Sequence, residues 1–309
     1  MIQPNNVTFF VESREESEEI KNMSGTGSRG TFFLERLATD DCLQALREVR
    51  GRVAIALNNA ELRTDGALIE FLQALNKAKI PVDAWVTLAE GDYWIHAGNV
   101  REAWRQIYGV LNILERAHVG VQNVGLDLEF PSRFMVPKVD LSAYYFTKPW
   151  TFDRAKAHDF LVAEAERFLS GGKRGLHAYE IPIMSDLRPI GWALGMVAAP
   201  TAAEITDERY KRVALTYTSG APLLPSRPFI NHYAHGKDRI PALGIVTATA
   251  RNPGRNMSYE KMLSERGLDR DVRTAMAAAK EFFVFALNGK GVVDRTQAAI
   301  RQALLPVVR

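Results

Sequence analysis

The sequence predicts a (β/α)8 TIM barrel, and three observations lead to that fold class. Eight short runs of apolar and β-branched residues recur along the 309-residue chain. Longer segments separate these runs, and their apolar residues fall at the spacing of three and four that is typical of amphipathic helices. A strand followed by a helix, eight times over, indicates a closed parallel barrel, because each parallel connection needs a crossover. A doubly wound α/β sheet is the main alternative.

The predicted strands are followed by helical segments such as DDCLQALREV and ALIEFLQALNKA. In chain order the strands are GTFFLE (30–35), VAIALN (53–58), VDAWVTL (82–88), VGLDLEF (124–130), YEIPIM (179–184), VALTYT (213–218), LGIVTAT (243–249) and FFVFAL (282–287). Residues 1–29 stand outside this count, although they carry another apolar run, VTFFVE. We therefore expect an N-terminal extension or cap over residues 1–29 and a single barrel domain over residues 30–309.

Composition excludes several classes of protein. The net charge of +3 comes from 39 basic and 36 acidic residues, so the chain lacks the one-signed field typical of nucleic-acid binding. One cysteine, Cys42, excludes an internal disulfide and a cysteine-based metal site. The longest nearly uncharged run, residues 189–203, is too short to cross a membrane. The amino terminus resembles no secretory signal, so we expect a cytoplasmic protein, or a secreted one whose leader has been removed.

The stretch VGLDLEFP (124–131) places two acids in an apolar run. Because strand side chains alternate, Gly125, Asp127 and Glu129 share one face. In a barrel this face points inward near the carboxyl end of the strand, where we expect a solvated polar pocket to hold the two carboxylates. The alternative is a buried ion pair with an inward Arg or Lys, and the predicted strands contain no basic residue to form one.

The spacing of these two acids suits acid catalysis. Residues i and i+2 of a strand lie about 6 to 7 Å apart. At that distance one carboxylate raises the pKa of the other, which keeps a general acid protonated near neutrality. The spacing therefore predicts that one of the two acids donates a proton.

The segment GLDLEFP resembles the catalytic segment of the family 18 glycoside hydrolases, the chitinase type. These barrels carry D-G-x-D-x-D-x-E-[YF]-P at the end of strand four. The resemblance implies that Glu129 protonates the glycosidic oxygen and that Asp127 orients an acetamido group of the substrate, which serves as the nucleophile. Gln122 and Gly125 stand where the family has its first two acids.

A second segment, LTYTSG at strand six, is similar to the M-x-Y-D motif of that family. Tyr217 matches the tyrosine that touches the acetamido group, and Thr218 stands in place of the aspartate. The candidate catalytic residues are therefore Asp127, Glu129 and Tyr217.

Candidate substrate-binding residues lie at the carboxyl ends of the predicted strands, where barrel enzymes build their sites. After strand three, Tyr93 and Trp94 could stack on a sugar ring, or they could pack the loop against the next helix. We expect Trp85 in the core or the pocket wall. The polar candidates at strand ends, which could also be turn formers, are Asn58, Asp92, Asp186, Arg251 and Asn288.

Other segments of the sequence bear on the second carboxylate, on metal binding and on cofactor binding. Strand seven carries no Glu that could serve as the second carboxylate of a glycosidase. That carboxylate therefore has to come from strand four, or from Glu180 or Asp186 at strand five. His232 and His235 lack an obvious third ligand, and no dinucleotide or phosphate-loop motif follows a strand, so we expect neither a metal nor a cofactor.

The sequence thus predicts a carbohydrate-active barrel, and most specifically a glycoside hydrolase. Its partner is a carbohydrate or another small molecule, with no nucleic acid and no membrane span. One alternative is a non-catalytic, lectin-like sugar-binding barrel. The other is a metal-assisted hydrolase or isomerase that uses Asp127, Glu129, Asp186 and a histidine.

Overall fold

A computed structural model describes residues 6–11, 28–88, 95, 98–128, 154–180, 205–216, 226–234, 239–244, 267–285, 287 and 290–304. Within these ranges eight strands form a closed barrel, and every neighbouring pair is parallel, including the pair that joins the last strand to the first. The predicted (β/α)8 TIM barrel is therefore confirmed.

One or two helices follow each strand along the chain, except that none is described between β5 and β6. The strands are β1 (Asn6–Val11), β2 (Gly51–Leu57), β3 (Val82–Val86), β4 (Asn123–Leu128), β5 (Gly175–Glu180), β6 (Tyr210–Leu215), β7 (Arg239–Gly244) and β8 (Glu281–Phe285). The helices are α1 (Arg29–Leu37), α2 (Asp40–Glu48), α3 (Asn59–Thr64), α4 (Gly66–Lys77), α5 (Val100–Arg116), α6 (Arg154–Gly171), α7 (Ser226–Ala234), α8 (Leu268–Ala278) and α9 (Lys290–Leu304). None of the helices in the described ranges is long and apolar enough to cross a membrane.

The prediction for the first strand was wrong. GTFFLE lies in helix α1, which begins after Ser28, whose side chain accepts a hydrogen bond from the backbone N–H of Thr31. Such an N-cap favours a helix, and Phe33 and Leu37 are buried at helical spacing. The first strand of the barrel is β1 at residues 6–11, so the predicted domain boundary after residue 29 falls inside the first β/α unit.

The other seven predicted runs each overlap an observed strand, so strands two to eight keep their predicted order. However, β5, β6 and β7 begin three or four residues before their predicted starts, because they open with polar or turn-forming residues. These earlier starts, and that of β2, bring Arg52, Lys211, Arg212 and Arg239 into the strands. The expectation that the barrel strands contain no basic residue was therefore wrong.

Aromatic side chains fill the middle of the barrel. Phe10 lies with its ring centroid 4.9 Å from that of Tyr179, 5.3 Å from that of Trp85 and 5.1 Å from that of Phe283. Phe285 lies 5.7 Å from Phe10. Each such pair contributes about 0.5 to 1.5 kcal/mol beyond its buried area. This aromatic layer separates the amino-terminal end of the barrel from the carboxyl-terminal end.

Helices α1 and α4 pack closely outside the barrel. The carboxylate of Asp65 accepts hydrogen bonds from the Ser28 hydroxyl and the Gly30 backbone N–H, both at 2.7 Å, and it also caps α4. A Cβ atom at Gly30 would overlap the backbone of Leu68. A glycine is therefore required inside α1, because the backbones of the two helices approach each other there.

Candidate active site

Asp127 lies near the carboxyl end of β4 and points into the barrel. Its carboxylate accepts a 3.1 Å hydrogen bond from the indole N–H of Trp85, which comes from β3. The inward direction predicted from the sequence is correct. The predicted solvated pocket is not found at this depth, because Asp127 is only 2% exposed. Burial of a carboxylate is costly, and the indole N–H compensates part of that cost.

The register of β3 and β4 brings these two side chains together. Trp85 lies level with Gly125, and its indole reaches one inward position further along β4 to Asp127. Gly125 leaves room for the ring of Tyr179 from β5, since a Cβ atom at residue 125 would overlap that ring. Tyr179 therefore occupies the space beside residue 125.

Tyr179 is a residue that the sequence analysis did not single out. It is 1% exposed, and its hydroxyl group has no hydrogen-bond partner among the described residues. Burial raises the pKa of the phenol well above its usual value, and the nearby carboxylates of Asp83 and Asp127 raise it further. The phenol therefore stays protonated near Asp127. The small residue at Gly125 on the neighbouring strand was the available signal for a large inward side chain here.

The loop after β3 contacts the end of β4. The backbone N–H of Ile95 donates a 2.8 Å hydrogen bond to the backbone carbonyl of Asp127. The predicted sugar-binding residues Asp92, Tyr93 and Trp94 precede Ile95 in the sequence and lie outside the described residues. This hydrogen bond brings the described end of their loop to strand four.

Asn58 lies at the carboxyl end of β2, and its amide caps α3. Its side-chain oxygen accepts a 2.9 Å hydrogen bond from the backbone N–H of Glu61, and its NH₂ group donates to the Glu61 carboxylate at 3.2 Å. Glu61 also forms a 2.6 Å ion pair with the buried Arg29. The amide of Asn58 is thus engaged in a local polar cluster at this end of the barrel.

Glu180 does not accompany Asp127 inside the barrel. It follows the inward Tyr179 in β5, so it points away from the interior. Arg212 of β6 donates to its carboxylate at 2.5 and 2.8 Å, and both side chains are buried. Glu180 and Arg212 therefore form a buried ion pair outside the barrel interior.

The remaining predicted site residues fall on parts of the chain that the structure does not describe. Besides the three loop residues named above, these are Glu129, Tyr217, Asp186, Arg251 and Asn288. Of the two histidines, His232 is exposed on α7, and His235 lies outside the described residues. From the predicted set, the described structure brings Asp127 and Trp85 together.

The chain is similar to known proteins in its three-dimensional structure. No family model matches the chain, and no curated protein matches it. The crystal structure of a GH18 chitinase from Pseudoalteromonas aurantia matches with a TM-score of 0.52 and 10% identity, over 96% of this chain and 99% of that chain.

Two other solved structures match less well. A GH99 endo-alpha-mannosidase from Bacteriodes thetaiotaomicron matches with a TM-score of 0.49 and 8% identity over 98% of both chains. A D-psicose 3-epimerase matches with a TM-score of 0.42 and 10% identity over 96% of both chains. At such low identity, the similarity to the chitinase shows a shared barrel fold.

Proposed function

We propose that this protein hydrolyses a glycosidic bond, with Glu129 as the general acid and Asp127 as its partner carboxylate. The observation that supports this most is the position of Asp127, buried inside the barrel near the carboxyl end of β4 and held by Trp85. Gly125 and Asp127 point inward, and strand alternation predicts from the sequence that Glu129 does so as well. The similarity of GLDLEFP to the family 18 segment supports the two roles, with Glu129 as the proton donor and Asp127 as its partner.

In the proposed reaction, Glu129 donates its proton to the glycosidic oxygen as the bond from that oxygen to the anomeric carbon breaks. The departing sugar leaves as an alcohol, and positive charge develops on the anomeric carbon. Water then forms the new bond to that carbon and gives its proton to the Glu129 carboxylate, which restores the acid. The negative charge of Asp127 keeps Glu129 protonated before the reaction and stabilises the developing positive charge. The hydrogen bond from Trp85 fixes the orientation of Asp127 for both tasks.

The rim of the proposed site comes from the loops at the carboxyl ends of the strands. Tyr93 and Trp94 stack on the sugar ring, and Tyr217 contacts the substrate beside Asp127. Polar groups that orient the sugar are Asp92, Asp186, Arg251 and Asn288. The Ile95 hydrogen bond supports this assignment for the loop after β3, because it joins that loop to Asp127.

The test is hydrolysis of aryl glycosides and oligosaccharides, with and without N-acetyl groups, by the wild type and by Glu129→Gln. Loss of a general acid lowers the rate by about 100- to 10,000-fold. We expect that loss with little change in Tm, because the substitution preserves shape. Glu180→Gln is the matched control: it breaks the buried pair with Arg212, so it should lower Tm.

Four results would contradict the proposal. Full activity of Glu129→Gln would exclude its role as the acid, and a large fall in Tm would mark it as an ion-pair partner. Sugar binding by the wild type without turnover would favour the lectin-like alternative. Activity or a rise in Tm that depends on a divalent ion would favour the metal-assisted alternative.

A further inference from the structure

A cavity of about 650 Å³ lies at the amino-terminal ends of the barrel strands. Residues at the starts of five strands line it: Arg52, Asn123, His177, Lys211 and Glu281. Its volume falls within the range of small-molecule sites. Asn123 and Asp127 are four residues apart on β4, so the cavity lies about 13 Å from the candidate active site by strand rise. The aromatic layer separates the two.

Positive charge is concentrated in the wall of this cavity. Among the described lining residues, five are cationic (Arg52, Lys173, Arg174, Arg209 and Lys211), whereas Glu281 is the one carboxylate. The chain as a whole is nearly balanced, with 39 basic and 36 acidic residues. A concave surface lined by one sign of charge raises the local concentration of small ions of the opposite sign.

The arginines of the wall already have acidic partners. Arg174 pairs with Glu115 at 2.7 Å, and Arg209 pairs with Asp207 at 2.5 Å. The guanidinium of Arg52 lies 3.6 Å from the carboxylate of Asp83. These pairs orient the arginine side chains toward their acidic partners.

The two lysines differ from the arginines. Lys173 lies in the turn before β5 and is exposed, and Lys211 lies on β6 and is half-buried. Neither has an ion-pair partner among the described residues, and both line the cavity. The wall therefore offers two ammonium groups from neighbouring strand segments that no described carboxylate neutralises.

The positive charges of the wall also act on His177, which lies at the floor of the cavity. It is 4% exposed, and its pKa is lowered to about 3, first by burial and then by the charges of Arg52 and Lys211. The imidazole is therefore neutral, and it lies 3.7 Å from Asp83. The side-chain amide of Asn123 donates to Asp83 at 2.7 Å, so the floor is a buried polar cluster rather than an apolar core.

We propose that this cavity binds the phosphate group of a small molecule, between Lys173 and Lys211 and above Arg52. A phosphate carries up to two negative charges and three terminal oxygens, so it can accept from ammonium and guanidinium groups that approach from separate elements. A carboxylate has one charge and a planar shape, which suits this arrangement less well. The site is independent of the proposed glycosidase function, because no residue of one belongs to the other.

The test is calorimetric titration of the full chain with inorganic pyrophosphate, inorganic phosphate and citrate. We expect pyrophosphate to bind, and we expect Lys173→Gln and Lys211→Gln each to weaken it about fivefold, as for a partly exposed charge pair. Lys156→Gln is the matched control. It removes the same charge near the first turn of α6, about 25 Å by helix rise from the turn that holds Lys173.

Pyrophosphate binding that depends on Lys173 and Lys211 but not on Lys156 supports the site. The proposal is overturned if the wild type binds neither phosphate nor pyrophosphate at millimolar concentration, or if citrate alone binds. Equal weakening by Lys156→Gln would also overturn it, because it would show general attraction to a basic protein. Tm of each variant, measured without ligand, checks that the substitutions leave the fold unchanged.

Discussion

The hydrogen bond from Trp85 to Asp127 shows which part of a site a local pattern can predict. The inward direction of Asp127 follows from strand alternation, which depends only on β4 itself. Its near-complete burial depends on Trp85 and on the aromatic layer, which includes Phe10 from a strand that the sequence analysis left outside the barrel. The inward direction of the Asp127 side chain was therefore predictable from the sequence, whereas its degree of burial was not.

Removing the indole donor should destabilise the protein. Trp85→Phe keeps an aromatic ring but leaves the buried carboxylate of Asp127 with one hydrogen bond fewer. The expected cost of that lost bond is about 1 to 3 kcal/mol of unfolding free energy. Urea unfolding at neutral pH measures it.

Trp104→Phe is the matched control. Trp104 is also buried, but its indole N–H has no acceptor among the described residues. The same loss of volume should then cost less at Trp104 than at Trp85. Equal losses of stability would show that the bond to Asp127 contributes nothing measurable.

His177 and Asp83 make opposite contributions to the pH dependence of stability. The pKa of His177 falls from 6.5 to about 3, mainly because of burial, so below about pH 6.5 the unfolded chain binds a proton that the native protein does not. Its contribution is lost as pH falls. The pKa of Asp83 is raised from 3.8 to about 6, also mainly by burial, so its contribution is lost as pH rises. Between about pH 4 and 6 the two slopes nearly cancel.

Replacing the histidine should separate the two contributions. We expect His177→Gln to be more stable relative to the wild type at about pH 4.5 than at about pH 7, by at most about 1.4 kcal/mol per pH unit. Urea unfolding at both pH values measures the difference. A difference that does not change with pH, or an imidazole resonance of His177 that titrates near its ordinary pKa, would contradict the assignment.

At the scale of elements, α1 shows why a short apolar run is ambiguous. GTFFLE has the composition of a strand, but the Ser28 cap and the contact with Asp65 decide for a helix. The first of these signals lies two residues before the run, and the second lies thirty or more residues after it. Each of the seven other runs overlaps an observed strand, although the runs predicted for β5 and β7 share only two residues with those strands.

Gly30 gives a test of the contact between α1 and α4. In Gly30→Ala the new methyl group would overlap the backbone of Leu68, so the helices must move apart. The expected cost is about 1 to 3 kcal/mol of unfolding free energy. Thermal or urea unfolding measures it.

Gly66→Ala is the control for the general effect of alanine in a helix. Gly66 opens α4, and a Cβ atom there meets nothing within 4 Å. This substitution should be neutral or should stabilise by up to about 1 kcal/mol. If both substitutions have the same effect, the close approach at Gly30 does not constrain the packing.

At the scale of the whole molecule, the barrel has two polar ends with an aromatic layer between them. The sequence predicted the barrel and the carboxyl-terminal end, because motifs at strand ends can be recognised locally. It missed the amino-terminal cluster, because Arg52, His177 and Lys211 precede the apolar runs that defined the predicted strands. These residues meet only when the barrel closes.

The central claim is that Glu129 donates a proton to a departing sugar. Its most direct test is the rate of Glu129→Gln, relative to the wild type, on two aryl glycosides of one sugar that differ only in the acidity of the leaving phenol. A strongly acidic dinitrophenol leaves without protonation, whereas a weakly acidic phenol needs the acid. We predict a large loss on the weakly acidic phenol and a small one on the dinitrophenol. Equal losses on both substrates, or no turnover of either by the wild type, would contradict the claim.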